Sequence, residues 1–235
     1  MHFGNAIAND YVINGICLPN TESNKDLGVI FDTSLRFSSH IDSVVRKALA
    51  VLFLIMRNTR CSDSSIVLRL YKTYVLPHLE YCSQVWSPFL KKDIEKLERV
   101  QHVFTRMLWH RSKPGVAIPP YRVRLKSLSL HSLQYRRVIS DLVFCFSVLR
   151  KELRLSASKY WTFRPTSERL GGFNLHYAPI YAKNHSLVFN NLFNRCARWF
   201  ELLPPQVLQA PNSKILKSRP SKLDLLGTLG IQEVV

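Results

Sequence analysis

Acidic side chains are scarce in this chain. Only 16 Asp and Glu stand against 33 Lys and Arg in 235 residues, giving a formal net charge of +17 and a pI near 10.0. Such a surface does not suit cationic partners; its natural partner is a polyanion, nucleic acid before an anionic membrane surface. Long hydrophobic runs are missing as well. The longest helical apolar stretch, Ala48 to Met56, falls well short of the roughly 20 residues that span a bilayer. The N-terminus has no charged region followed by an apolar one, so the chain reads as soluble, with no membrane partner and no secretion signal. Five cysteines, Cys17, Cys61, Cys82, Cys145 and Cys196, stand far apart without a Cys-x-x-Cys. That odd, scattered set excludes a disulfide framework and fits reduced thiols of an intracellular protein, nuclear or cytoplasmic. A Gly-rich phosphate loop, a Gly-x-Ser-x-Gly elbow and a His-Glu-x-x-His pair are all absent.

Hydrophobic residues make up 46% of the chain, enough to bury one large core or two small ones. The charge is unevenly placed. Residues 1–40 are slightly acidic, residues 41–160 hold 22 basic against 8 acidic side chains, and residues 161–235 hold 9 against 4. The middle of the chain is therefore the electrostatic footprint.

Tyr11-Val12-Ile13 and Ile16-Cys17-Leu18 flank Asn14-Gly15, the dipeptide best suited to two positive φ angles, so residues 10–18 read as a tight hairpin. Leu27 to Phe31 reads as a third strand, with Gly28 marking a bulge or a close approach. From Ser38 the period changes to 3.6. Ser38 or Ser39 can cap a helix whose Ile41, Val44, Val45, Ala48, Leu49, Leu52, Ile55 and Met56 share a face. Caps between Ser62 and Ser65 open a second helix with Ile66, Val67, Leu70, Tyr71, Tyr74 and Val75 inward, broken or kinked at Pro77. Trp86-Ser87-Pro88 reads as a turn, and a third helix starts near Asp93 with Ile94, Leu97, Val100, Val103, Phe104, Met107 and Leu108 inward and Lys92, Lys96, Arg99, Arg106 and Arg111 over its other side. Prolines and a glycine at 112–121 mark a linker. Further helices are predicted over Leu130 to Lys151 and Ser186 to Leu202, around an aromatic, Gly/Pro-punctuated stretch from Trp161 to Pro179, with a frayed end.

Few residues group as a site for chemistry. His78 and Cys82 could share a helical face as zinc ligands, but two further ligands at a recognisable spacing are lacking, and no metal site is assigned. Glu80 beside His78, and Asp93 with Glu95, do not converge as acid–base pairs. Tyr71, Tyr74, Tyr81 and Trp86 stand among basic residues and could stack on bases; helical spacing assigns Tyr71 and Tyr74 to a helix–helix interface instead and leaves Trp86 open.

Several motifs follow one another in a single order along nearly the whole chain. They are Met1-His2-Phe3-Gly4, Lys25-Asp26-Leu27-Gly28-Val29, Leu70-Tyr71, Pro77-His78-Leu79-Glu80-Tyr81, Trp86-Ser87-Pro88, Lys91-Lys92-Asp93-Ile94, Leu97-Glu98 and Val100-Gln101. Tyr121 with Arg122 to Leu130, Tyr135-Arg136-Arg137, Asp141-Leu142, and Arg198-Trp199-Phe200 with Leu203-Pro204 continue the series. In combination they resemble the segment that follows the catalytic palm in reverse transcriptases of non-LTR (LINE-type, jockey-like) retrotransposons. Phe200 and Glu201 depart from the usual polar form of the closing Trp-Asn-x-Leu-Pro element. No acidic pair in a Tyr/Phe-Ala-Asp-Asp context occurs, and fingers, endonuclease domain and zinc knuckle are lacking.

The resemblance implies a mainly α chain with a small N-terminal antiparallel β piece: a palm remnant with primer-grip strands at 1–37, a thumb-like helical bundle at 38–111, the linker at 112–121 and a C-terminal helical region at 122–235. It implies a fragment of an RNA-directed DNA polymerase, with RNA and DNA template–primer as partners together with a missing palm and fingers domain. Catalytic residues and cofactors are assigned to none of the chain; Mg²⁺ belongs to the missing palm. A thumb grips a duplex by its backbone, through basic side chains on rigid helices. The candidates for phosphate contact are Arg57, Arg60, Lys72, Lys91, Lys92, Arg99, Arg106 and Arg111, and Leu27, Gly28 and Val29 are the primer-grip-like residues. The residues leave open a stand-alone basic module binding nucleic acid or protein, and a non-functional relic; bare strands at 1–31 would favour truncation.

Overall fold

The computed structural model describes residues 1, 3, 10–59, 63–163, 175–176, 185–218 and 224–233. The fold is mainly α with a small N-terminal antiparallel β piece. The chain forms two compact units, residues 1–82 with 88–120, and residues 83–87 with 121–235.

In the first unit, β1 (Val12–Ile13) and β2 (Ile16–Cys17) pair antiparallel around Asn14 and Gly15, whose φ angles of 52° and 77° are those the expected tight turn requires. The next strands correct the expectation. β3 (Ser23–Asp26) and β4 (Val29–Asp32) form a second hairpin with Asp26 opposite Val29, and Leu27-Gly28 is its turn rather than the inside of a strand. Gly28 at φ 88° supplies the left-handed geometry, and Leu27 follows it there at φ 45°. The β piece is thus two separate ladders, not three strands side by side.

α1 (Ser38–Asn58) begins on Phe37 in the left-handed region, without a side-chain cap. The expected serine cap does not form because the Ser38 hydroxyl donates 2.7 Å to Asp93 Oδ2 instead. α2 (Ser64–Leu70) is capped by Asp63, whose carboxylate accepts from the Ser65 N–H at 2.8 Å; Ser62 lies outside the described residues. A π-helical turn, Tyr71–Val75, leads into α3 (Leu76–Glu80). Pro77 explains it: proline has no N–H and its ring crowds the carbonyl four residues back. The chain widens its turn, so that the Leu76 N–H donates to the Tyr71 carbonyl five residues earlier. α4 (Ser83–Trp86) is a short helix ending at the first residue of the expected turn, and Trp86 is fully buried. α5 (Lys91–Ser112) follows.

The core of the first unit gathers Ile41, Ala48 and Leu52 of α1, Val67, Tyr71, Val75 and Leu79 of the following segment, and Leu97, Val100 and Phe104 of α5, all at 0% exposure. Tyr71 stacks on Phe104 with centroids 3.9 Å apart, and its hydroxyl donates to Gln101 Oε1 at 3.1 Å. Tyr74, expected beside it, is exposed. The π turn takes more residues per revolution than an α turn, so a residue three places on lags behind its α-helical position and leaves the core face.

The second unit comprises α4, α6 (Tyr121–Ser127), α7 (Leu133–Leu149), β5 (Thr162–Phe163), β6 (Leu175–His176), α8 (His185–Phe189), α9 (Leu192–Leu202), α10 (Pro205–Leu208), α11 (Ser213–Ser218) and α12 (Leu225–Thr228). α7 starts later than expected because the Ser132 hydroxyl accepts from the Tyr135 N–H and sets the cap there. The single helix expected over 186–202 is two, since the Asn191 side chain accepts from the Asn194 N–H at 2.8 Å and starts a new helix. The end is not wholly frayed either: Leu216, Leu225, Leu226 and Leu229 pack into a core with Leu142, Phe146, Cys196 and Phe200. Most of the stretch from Trp161 to Pro179 lies outside the described residues. Deep in this unit Arg195 meets Asp141 Oδ2 through Nε at 3.0 Å and Nη2 at 2.9 Å, and also donates to the carbonyls of Asn190 and Gln84. One guanidinium thereby ties α7, α9 and α4.

Candidate nucleic-acid interface

The rigid part of the candidate interface is α5. Its buried side carries Leu97, Val100, Gln101, Phe104 and Leu108, which fixes what the other side presents. Lys92, Arg99 and Arg106 recur every seven residues, two helical turns, and all three are exposed. At 1.5 Å per residue they form a straight stripe with cations about 10 Å apart. Two of the three acids of this helix, Asp93 and Glu98, are buried, at 1% and 4% exposure, and so do not stand beside the stripe on the surface.

The remaining basic candidates divide by what they touch. Arg57, in the last turn of α1, and Lys72, in the π turn, are exposed like the stripe. Lys91 faces Glu95 at 3.9 Å across one turn, a solvated pair of small energetic weight. Arg111 is half-buried: its guanidinium donates to the Thr59 carbonyl at 2.7 Å and to the Met56 carbonyl, closing the C-terminal end of α1. A cation there also opposes the negative end of the helix dipole. Arg60 lies outside the described residues. Lys96, which the sequence placed on the solvated side of this helix, is half-exposed but already paired. Its ammonium lies 2.6 Å from Asp42 and 3.5 Å from Asp93, and the hydrogen bond to Asp42 raises its pKa.

The primer-grip-like residues are split by their environments. Leu27 is 84% exposed at the hairpin tip, whereas Val29 is 2% exposed, its side chain part of the core. The tip is fixed from two directions. The Tyr81 hydroxyl donates to the Leu27 carbonyl at 3.0 Å, and a Cβ on Gly28 would stand 3.5 Å from the Tyr81 ring. From α1, His40 Nδ1 accepts the Ile30 N–H at 3.2 Å. Burial, then Lys47 and Lys25, lower the His40 pKa, which keeps that nitrogen able to accept. Sequence reasoning missed His40 and Tyr81 as hairpin anchors. Each pairs with a backbone group 10 or 54 residues away, a contact that no local pattern encodes.

Among the described residues no three His, Cys, Asp or Glu side chains group so as to hold a metal ion, and no helix is long and apolar enough to cross a membrane. Cys17, Cys82, Cys145 and Cys196 are free thiols.

No protein-family model matches the chain, and no solved structure matches it. A Caenorhabditis elegans protein described as uncharacterized is 29% identical over 127 residues, covering 54% of this chain and 63% of that protein. The chain therefore spans less than two thirds of the length of the relative it matches, and the similarity carries no activity with it.

Proposed function

We propose that this chain holds the RNA–DNA template–primer of a non-LTR-type reverse transcriptase, gripping the duplex by its phosphates while bond formation takes place on a palm domain outside it. The observation that carries the reading is the stripe of Lys92, Arg99 and Arg106 on a 22-residue helix anchored by its opposite face. Cations on a rigid element suit a backbone that must be held without regard to sequence. Arg57 and Lys72 extend the set, and the fixed tip at Leu27 and Gly28 suits close approach to a strand end. No step through Mg²⁺ is assigned to these residues.

One observation favours a second reading, a stand-alone basic module. The β3–β4 hairpin is not bare: Val29 is buried and Ile30 is tied to His40 of α1. Sequencing the transcript upstream of the Met1 codon separates the two. An in-frame palm with its acidic pair supports the first, and its absence supports the second.

The first reading requires binding to duplex nucleic acid without sequence preference. Titration of the full chain against an RNA–DNA hybrid should give an affinity falling linearly with salt on logarithmic axes, by about 0.9 per phosphate contact as measured for B-DNA. Salt-independent affinity, or none at low salt, refutes it.

A further inference from the structure

A second exposed surface of the first unit has a different chemistry from the α5 stripe. The π turn that Pro77 imposes brings Tyr74 out of the core to 56% exposure. His78 follows four residues on, in α3, and Tyr81 three further, at the end of that helix. His78 is exposed, and Tyr81 is 59% exposed. Tyr71, Val75, Leu76 and Leu79 already fill the core side of the segment, so packing does not account for three rings on the other side. The Tyr81 ring is also pinned, by its hydroxyl on the Leu27 carbonyl and by Gly28 beside it. Arg69 and Lys72 are exposed on the same segment.

We propose that Tyr74, His78 and Tyr81 form a stacking platform for the bases of single-stranded nucleic acid, with Arg69 and Lys72 on its phosphates. The proposal rests on reading the chain as a nucleic-acid holder and adds the substrate class of a separate surface. Phosphate contacts are open to duplex and single strand alike, whereas ring faces are open only to bases that are not stacked in a duplex. Positive charge argues for a polyanion as occupant, and the rings argue for one with exposed π faces. Face contact does not read the sugar, so RNA and DNA strands should bind alike.

The test uses the full chain with a labelled single-stranded pyrimidine oligonucleotide, as DNA and as RNA, and with a blunt duplex. Tyr74→Ala should weaken single-strand binding about fivefold or more, leaving duplex affinity and the salt slope unchanged. Tyr74→Trp should restore it, and Tyr74→Leu, which keeps apolar area without a π face, should not. Unaltered thermal unfolding of the Tyr74 variants verifies the fold. Equal single-strand affinity in wild type, Tyr74→Ala and Tyr74→Leu overturns the platform, as does equal loss on single strand and duplex. Failure of duplex binding with retained ring dependence on single strand removes the duplex grip and leaves the platform standing. The reverse pattern removes the platform alone.

Discussion

Replacing Lys92, Arg99 and Arg106 together by alanine isolates the stripe. All three are exposed and make no ion pair among the described residues. Alanine is also the best helix former, so the stability change should stay within about 0.5 kcal/mol. If each cation neutralises one phosphate, the triple variant loses about 2.7 from the slope of log affinity against log salt. Across a fourfold rise in salt, from about 50 to 200 mM, those three contacts account for roughly a 40-fold fall in wild-type affinity that the variant does not show. The assay is fluorescence anisotropy on a labelled RNA–DNA hybrid at four or more salt concentrations. The wild-type and variant lines should converge as salt rises. Parallel lines of equal slope would show that the stripe touches no phosphate, whatever the offset between them. Lys91→Ala, which removes a side chain already facing Glu95, serves as the comparison and should change the slope less.

Arg111→Ala should act on stability rather than on binding. Loss of two charged hydrogen bonds to the end of α1 costs about 1–2 kcal/mol at this half-buried site, read as a lower Tm with an unchanged salt slope. His40, with its pKa lowered by burial, stays neutral in the fold; its contribution is complete above the unfolded value near 6.5. Amide exchange at Ile30 should therefore quicken as pH falls below 6.5, after correction for intrinsic rates, and His40→Ala should remove that dependence. Burial pushes the Asp141 carboxyl up from 3.8 to about 6 against the pull of Arg195. The folded state thus holds this proton more tightly than the unfolded one, and stability from this group falls by about 2 kcal/mol as pH rises from 4 to 6. Arg195→Met leaves the carboxylate alone and costs about 3–5 kcal/mol at pH 7, less at pH 4; equal losses at both would refute the ion-pair account. Leu27→Asn relieves a branched side chain at positive φ and should raise stability by up to about 1 kcal/mol. If the tip approaches a primer end, the same change should weaken binding to a recessed-end hybrid relative to a blunt one.

What could be read from the sequence was whatever a short window determines. Asn14-Gly15 specifies its turn because both residues accept positive φ. The apolar repeat from Ile41 to Met56 specifies α1 because one face must be buried, and Ile41, Val44, Ala48, Leu52 and Met56 are indeed the buried ones. Leu27-Gly28 was misread because leucine is a poor first residue for such a turn, and the hairpin is held by Tyr81 and His40 from elsewhere. Pro77 announced an interruption but not its form, and only the π turn decides that Tyr71 faces inward and Tyr74 outward. Asn190-Asn191 could have been seen as a helix break, since asparagine caps well. The Asp141–Arg195 pair spans 54 positions and has no signature along the chain. At the candidate interface the basic residues were legible as a set. Which of them point outward and which close a helix end depended on contacts such as Arg111 with Met56 and Thr59.

In the first unit Asn14, Leu27, Leu35, Phe37 and Cys82 are non-glycine residues in the left-handed region, and some of these departures from local rules meet at one side chain. Leu27 lies at φ 45° and Cys82 at φ 55°, and the π turn begins ten residues before Tyr81. Tyr81 connects them: its hydroxyl holds the Leu27 carbonyl, it ends α3, and it immediately precedes Cys82. Strained backbone persists only where surrounding contacts over-determine it, and it gathers where a site has to be held in one shape. A fold selected for stability alone would place glycine or asparagine at 27 and keep leucine out of water. Two left-handed residues at one exposed ring, Leu27 held by its hydroxyl and Cys82 next to it in the chain, give the Tyr81 neighbourhood a geometric rationale that charge does not supply. They make it, with the α5 stripe, one of the two places on the first unit where substitutions should change binding more than stability.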